Sequence, residues 1–196
     1  MLEVEKVNSM IAILGSPRRK GNSATLAENV ILGAKSMGAM VDKYFLHGMD
    51  IKPCDACAVC HEDINSECII NDDMQKIYPK LRQADALIIA SPIYWFTVSA
   101  QTKIFIDRCY ALGNSGGYAL KGKRIGIVLT YEDSDPFVSG AVNAIRTFQD
   151  VFAYVGAPII GMVYGRASEP GEIANNIELM DKAFELGKQI VIGIPE

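Results

Sequence analysis

Apolar residues fall into two alternating rhythms along this chain. Five short runs, Met10 to Leu14, Val41 to Leu46, Ala86 to Ala90, Ile125 to Thr130 and Ile159 to Tyr164, predict strands. Between them Ala24 to Met37, Met74 to Gln83, Ser99 to Leu112, Val138 to Val155 and Glu172 to Ile192 predict helices, with apolar residues spaced by three and four as in Leu26, Val30, Ile31 and Ala34. Strands that are apolar along their length, alternating with helices, call for a parallel sheet buried on both faces. The expectation is one doubly wound α/β domain over residues 1–196, interrupted by a cysteine-bearing insertion at about 47–73.

In such sheets ligands bind beyond the carboxyl ends of the strands, where the strand order reverses. The loops to watch are therefore Gly15 to Ser23, Ser91 to Val98 and Tyr131 to Phe137. The first reads Gly15-Ser16-Pro17-Arg18-Arg19-Lys20-Gly21-Asn22-Ser23-Ala24-Thr25 and runs straight into a helix. Free N–H groups at a helix start suit an anion, the hydroxyls of Ser16, Ser23 and Thr25 add donors, and Arg18 can grip a phosphate. A Rossmann fingerprint needs G-x-G-x-x-G, and a P-loop needs Gly-Lys-Ser/Thr where Gly21 is followed by Asn22-Ser23. Neither is present. A bare helix cap explains Asn22 or Ser23 alone, but not a whole donor-rich loop.

Charge narrows the partners. The formal charge of −4, with Lys and Arg scattered, offers no basic stripe for nucleic acid. The start MLEVEKVNSM has no basic region leading into an apolar stretch, and no run is long enough to span a membrane, so a cytoplasmic protein is expected. Five cysteines, four of them between Cys54 and Cys68, fit a bound inorganic centre better than a disulfide framework.

Gly15 to Thr25 resembles the G-S-x-R-x(n)-S-x-T phosphate loop of the flavodoxin-like NAD(P)H-dependent FMN reductases. Ser91-Pro92-Ile93-Tyr94-Trp95 is similar to their S-P-x-Y segment, and Lys103 to Arg108 to their K-x-F-I-D-R helix. The resemblance runs from Ile11 to about Gly165 and implies the strand order 2-1-3-4-5. It implies FMN held at Ser16, Arg18, Asn22, Ser23, Ala24 and Thr25, with Pro92, Ile93, Tyr94, Trp95 and Phe96 bordering the ring and Thr130 and Tyr131 as a third wall. A flavin needs a flat apolar wall with main-chain donors near its polar edge, which Pro92 to Phe96 can supply. Core or dimer packing is the other reading of Tyr94, Trp95 and Phe96. The family's glycine-rich loop after the fourth strand is here Tyr-Glu-Asp-Ser-Asp.

Cys54, Cys57, Cys60 and Cys68 read C-x2-C-x2-C-x7-C. Three cysteines at such intervals let one short loop wrap a cubane face, with a fourth closing it, whereas structural zinc usually uses two separated C-x2-C knuckles. A 4Fe-4S cluster, zinc, or free thiols remain the alternatives. In spacing and placement the motif resembles the iron–sulfur flavoproteins of the same superfamily. Cys109 reads as a buried small hydrophobe, His47 and His61 as loop residues, and Asp72-Asp73 as a helix cap.

The implied activity is electron transfer in which FMN handles electron pairs and the cluster passes single electrons, with NAD(P)H or a ferredoxin-like protein as donor. Position and potential are the protein's contribution, so no catalytic side chain is nominated. Two further readings are a cluster-free NAD(P)H-dependent FMN, quinone or nitro-compound reductase and a non-enzymatic redox carrier. Exposed Trp95 and Phe96 lead to the expectation of a homodimer or homotetramer.

Overall fold

A computed structural model describes residues 6–63, 66–114 and 116–193. Its strands are β1 (Ser9–Leu14), β2 (Met40–Phe45), β3 (Ala86–Tyr94), β4 (Thr97–Val98), β5 (Gly113–Asn114), β6 (Gly117–Tyr118), β7 (Arg124–Tyr131) and β8 (Ile159–Arg166). The α-helices are α1 (Asn22–Ser36), α2 (Met74–Gln83), α3 (Ala100–Arg108), α4 (Ala141–Val155) and α5 (Ile177–Ile192).

Five strands pair in parallel in the order β2-β1-β3-β7-β8, which is the flavodoxin-like 2-1-3-4-5 order once the short antiparallel pieces are set aside. Successive residues of a strand face opposite sides of the sheet, and here both sides are covered. Ile11, Ile13, Leu87, Ile89 and Ile127 pack with α2, α3 and α4 through Ile77, Phe105 and Phe148. Ala12, Ile88 and Val128 pack with α1 and α5 through Leu26, Val30 and Ile190. That double burial is why the central strands are apolar throughout. β2 departs from the expectation: it is an edge strand, and Met40, Asp42 and Lys43 are exposed on it.

β3 runs four residues beyond the predicted end at Ala90, to Tyr94. Its ladder with β7 continues to Pro92 opposite Thr130, and Ile93 and Tyr94 then fold back on β4. Pro92, Ile93 and Tyr94, expected in a loop, are thereby fixed by strand pairing. Three helices are shorter than their apolar periodicity suggests. Residues 109–112 and 172–175 form tighter 3-10 turns beside α3 and α5, and the left-handed Gly140 (φ 77°) delays the start of α4. Among the described residues no helix is long and apolar enough to cross a membrane.

Helices α1 and α5 touch backbone to backbone. A Cβ on Gly33 would lie 1.9 Å from the Phe184 carbonyl oxygen, and one on Gly187 would lie 1.9 Å from that of Val30. Backbone cannot move aside as a flexible side chain can. Gly33→Ala is therefore expected to destabilise the protein by about 1–3 kcal/mol through overpacking, read as a lower midpoint in urea unfolding. An unchanged midpoint would show that the two helices can separate freely.

Candidate functional site

Beyond the carboxyl ends of β1, β3 and β7 lies a cavity of about 190 Å³. Ser16, Arg18, Asn22 and Ser23 reach it from the first loop, Pro92, Ile93 and Tyr94 from β3, and Thr130 and Tyr131 from the end of β7. Those loops were read separately from the sequence, and the sheet topology brings them together. Gly21, Glu132, Ala167 and Ser168 also line the cavity. The last two follow β8, whose loop carried no recognisable motif. Ala24 lies buried inside α1, and Thr25, Trp95 and Phe96 are not among the lining residues.

A buried hydroxyl chain ties the first two loops. Ser99 donates through Oγ to the Gly15 carbonyl at 2.7 Å, and its N–H donates to Ser91 Oγ at 3.0 Å. Ser99 Oγ also meets Thr102 Oγ1 at 2.9 Å and caps α3 by accepting the Thr102 N–H. Gly15 must lack a side chain here, since a Cβ would sit 1.8 Å from Thr102 Oγ1.

The Asn22 side chain, expected at the ligand, is occupied elsewhere. It donates to the Glu169 carbonyl at 2.9 Å and accepts from the N–H of Gly171 at 2.9 Å and of Ile173 at 3.3 Å. It tethers the loop after β8 to the start of α1, which leaves only its main chain for a ligand. Ser23 differs. It is 1 % exposed, and its hydroxyl is buried without a hydrogen-bond partner among the described residues. A buried unmet donor costs about 1–3 kcal/mol, so it marks a place where a ligand atom fits.

Trp95 and Phe96 form the two-residue turn between the paired Tyr94 and Thr97, with φ of 49° and 68°. Left-handed φ at both turn positions is the requirement Asn-Gly meets cheaply and bulky residues meet with strain. The strain is held by α4, whose Asn143 donates to the Phe96 carbonyl at 3.0 Å, and by Gly140, where a Cβ would lie 2.6 Å from the Phe96 backbone. Trp95 is left 93 % exposed.

A second cavity, of about 230 Å³, is lined by Cys54, Cys57, Cys60 and Cys68 together with Ile70, Asp107, Arg108 and Tyr110. Ala56 and Ala58, between the cysteines, have φ of 57° and 61°, and these turns curl the loop around the cavity. Among the described residues no three Cys, His, Asp or Glu side chains converge closely enough for a single metal ion. His61 accompanies the loop, stacked on Tyr110 at 4.0 Å, with Nε2 2.8 Å from the Tyr110 carbonyl.

Arg108, read from sequence only as part of a helix motif, is the organising residue. It is 1 % exposed and pairs with Asp72, whose side chain is 0 % exposed. Its Nη1 donates to the Lys52 carbonyl at 2.8 Å and its Nη2 lies 3.4 Å from Cys68 Sγ. Its Nε is buried without a partner among the described residues. Asp72 does accept the Met74 N–H at 2.9 Å as a cap, but it also accepts that of Lys52 at 2.9 Å. Burial pushes the Asp72 carboxyl up, yet Arg108 and these N–H groups hold it below its usual range. Burial raises the Cys60 thiol, and neighbouring Cys68, Cys57 and Cys54 add to the rise. The Cys60 thiol therefore resists ionising without a positive centre beside it. Burial likewise pushes the Cys109 thiol up to about 12, in keeping with its packed, inert reading.

The sequence profile of a family described as NADPH-dependent FMN reductase matches residues 9–169. An iron–sulfur flavoprotein of Archaeoglobus fulgidus is 32 % identical over 182 residues, covering 92 % of this chain and 77 % of that protein. One from Methanosarcina thermophila is 33 % identical over 149 residues, covering 76 % and 75 %. The solved NAD(P)H:quinone oxidoreductase of Methanothermobacter marburgensis superposes with a TM-score of 0.73 at 16 % identity, covering 97 % of this chain and 99 % of that one, and shares the fold.

The strained aromatic turn can be relieved. The double variant Trp95→Asn with Phe96→Gly is expected to raise stability by about 1–2 kcal/mol in urea unfolding of cofactor-free protein. A variant no more stable than the parent would mean that these rings contribute packing that outweighs the strain.

Proposed function

The chain belongs to the NADPH-dependent FMN reductase family and is a flavin-dependent oxidoreductase, and on that premise we propose that it is an iron–sulfur flavoprotein with FMN in the first cavity and a 4Fe-4S cluster in the second. One observation carries the reading. The only buried side-chain nitrogen or oxygen atoms without partners among the described residues are Ser23 Oγ and Arg108 Nε, and each belongs to a residue lining one of the two cavities. Buried donors are normally satisfied, so a pair of exceptions at two candidate sites supports two bound groups.

In the first cavity Arg18 is exposed and supplies positive charge, Ser23 supplies its free hydroxyl, and the start of α1 supplies main-chain N–H groups. These donors suit the single phosphate of FMN. Pro92, Ile93, Tyr94, Thr130 and Tyr131 line the same cavity and would border the ring. In the second cavity Cys54, Cys57, Cys60 and Cys68 would hold the cluster. Zinc bonds sulfur at about 2.3 Å and draws its ligands to a point, whereas a cubane needs four thiolates spread around a space, and these four cysteines line one cavity.

When bound, FMN exchanges electron pairs for single electrons, and a 4Fe-4S cluster carries single electrons. Helix α3 serves both sites. Ser99 at its start fastens the first loop and Arg108 at its end lines the cysteine cavity. Nine residues span about 13 Å, so one short rigid helix sets the separation. NAD(P)H is the donor that the family favours, and a ferredoxin-like protein is the alternative. Exposed Trp95 and Phe96, beside exposed Phe137 and Val138, favour a homodimer or homotetramer that covers them, and an FMN-loaded monomer by light scattering would contradict this.

The cavities are expected to load independently. Ser23→Ala combined with Arg18→Ala should weaken FMN binding at least about tenfold while anaerobic iron content holds, because a hydrogen bond to a charged group and an ion pair each contribute about 1 kcal/mol or more. Cys57→Ser should do the reverse, losing iron and keeping FMN. Full iron in the Cys57→Ser variant, or unaltered FMN affinity in the double variant, contradicts the respective assignment.

A further inference from the structure

Iron–sulfur potentials are set by net charge near the cluster, hydrogen bonds to its sulfurs and exposure to solvent. A buried charge pair borders the cysteine cavity, Arg108 in its wall and Asp72 behind it. Arg108 lines the cavity, 1 % exposed, with Nη2 3.4 Å from Cys68 Sγ and with Nε buried and unpartnered among the described residues. Asp72, 0 % exposed, binds both terminal nitrogens of the guanidinium, including the Nη2 that faces Cys68, and accepts two main-chain N–H groups. The guanidinium is therefore shared between a carboxylate and the cysteine-lined space.

We propose that Arg108 sets the reduction potential of the cluster held by Cys54, Cys57, Cys60 and Cys68, and that Asp72 restrains the size of that effect. This inference rests on the cluster reading given above. Reduction adds one negative charge to the cavity. A permanently positive guanidinium, shielded from water, stabilises the reduced form more than the oxidised form and raises the potential. The Asp72 carboxylate, which does not line the cavity, opposes it. Arg108 is thus a positioning residue with an electrostatic effect, which goes beyond its plain clamping of Lys52 and Asp72.

The two roles differ in sign. A clamp alone predicts that losing either partner loosens the loop in the same way. Charge control predicts opposite shifts. In anaerobically purified, iron-loaded protein, midpoints of cluster and flavin are to be measured by redox titration followed by electron paramagnetic resonance and absorption. Arg108→Gln is expected to move the cluster midpoint negative by about 59 mV or more, a tenfold fall in the reduced-to-oxidised ratio at fixed potential. Asp72→Asn is expected to move it positive, Arg108→Lys to fall between parent and Arg108→Gln, and the FMN midpoint to stay in place. If Arg108→Gln retains no iron, the opposed shifts of Arg108→Lys and Asp72→Asn decide the matter. Iron-replete variants whose midpoints stay still, or move in one common direction, overturn the assignment of Arg108 alone. A parent protein that takes up no iron overturns the cluster reading and this inference with it.

Discussion

The geometry of the cysteine loop depends on a buried ion pair between Arg108 and Asp72. Neither side chain is meaningfully exposed, and removing two charges from water costs several kcal/mol per ion unless each is surrounded by partners. The chain meets that requirement by folding around the pair. Lys52 offers its carbonyl to Arg108 and its N–H to Asp72, so residues twenty apart in sequence are closed onto one point at the end of α3. Gln75 adds bonds to the carbonyls of Cys68 and Ile70, and Tyr78 donates to the Arg108 carbonyl at 3.0 Å. These bonds offset part of the entropy cost of closing so long a loop. The guanidinium Nε is the one polar side-chain atom in this arrangement left without a partner among the described residues.

Strain gathers where the chemistry is expected. The left-handed non-glycine residues among those described are Ala56, Ala58, Trp95 and Phe96. The first pair bends the cysteine loop and the second makes the turn beyond Tyr94. Each such residue costs on the order of 1–3 kcal/mol and persists only where surrounding bonds fix it. Buried hydroxyls of Ser91, Ser99 and Thr102 and the Asn143 bond provide that support on the flavin side. The Arg108 cluster provides it on the other. Helix α3 joins the two supports, with Ser99 at its start and Arg108 at its end.

Much of this was legible in the sequence, for reasons that separate cleanly. Strand and helix positions followed from burial on both sheet faces, and their alternation prescribed a parallel sheet. Edge strand β2 escaped the rule because its outer residues face water. The donor-rich first loop stood out because its donors are contiguous in sequence, and so did the cysteine motif. Arg108 and Asp72 were not, since their partnership joins residues thirty-six apart and each had an adequate local explanation, one as helix motif and one as cap. Asn22 shows the opposite case. Its sequence context suited a phosphate, but the loop after β8 takes all of its side-chain bonds. Ala167 and Ser168 carried no signal, because only folding brings that loop to the cavity.

Joint occupancy of the two cavities, by a flavin and by a 4Fe-4S cluster, is what separates the proposed iron–sulfur flavoprotein from a cluster-free reductase. Anaerobic purification followed by flavin, iron and acid-labile sulfide quantitation on the same sample tests it directly. About one FMN, four iron and four sulfide per chain are expected, with a broad absorption shoulder beneath the flavin bands. Flavin at one per chain with iron and sulfide absent, or with zinc in their place, would contradict it.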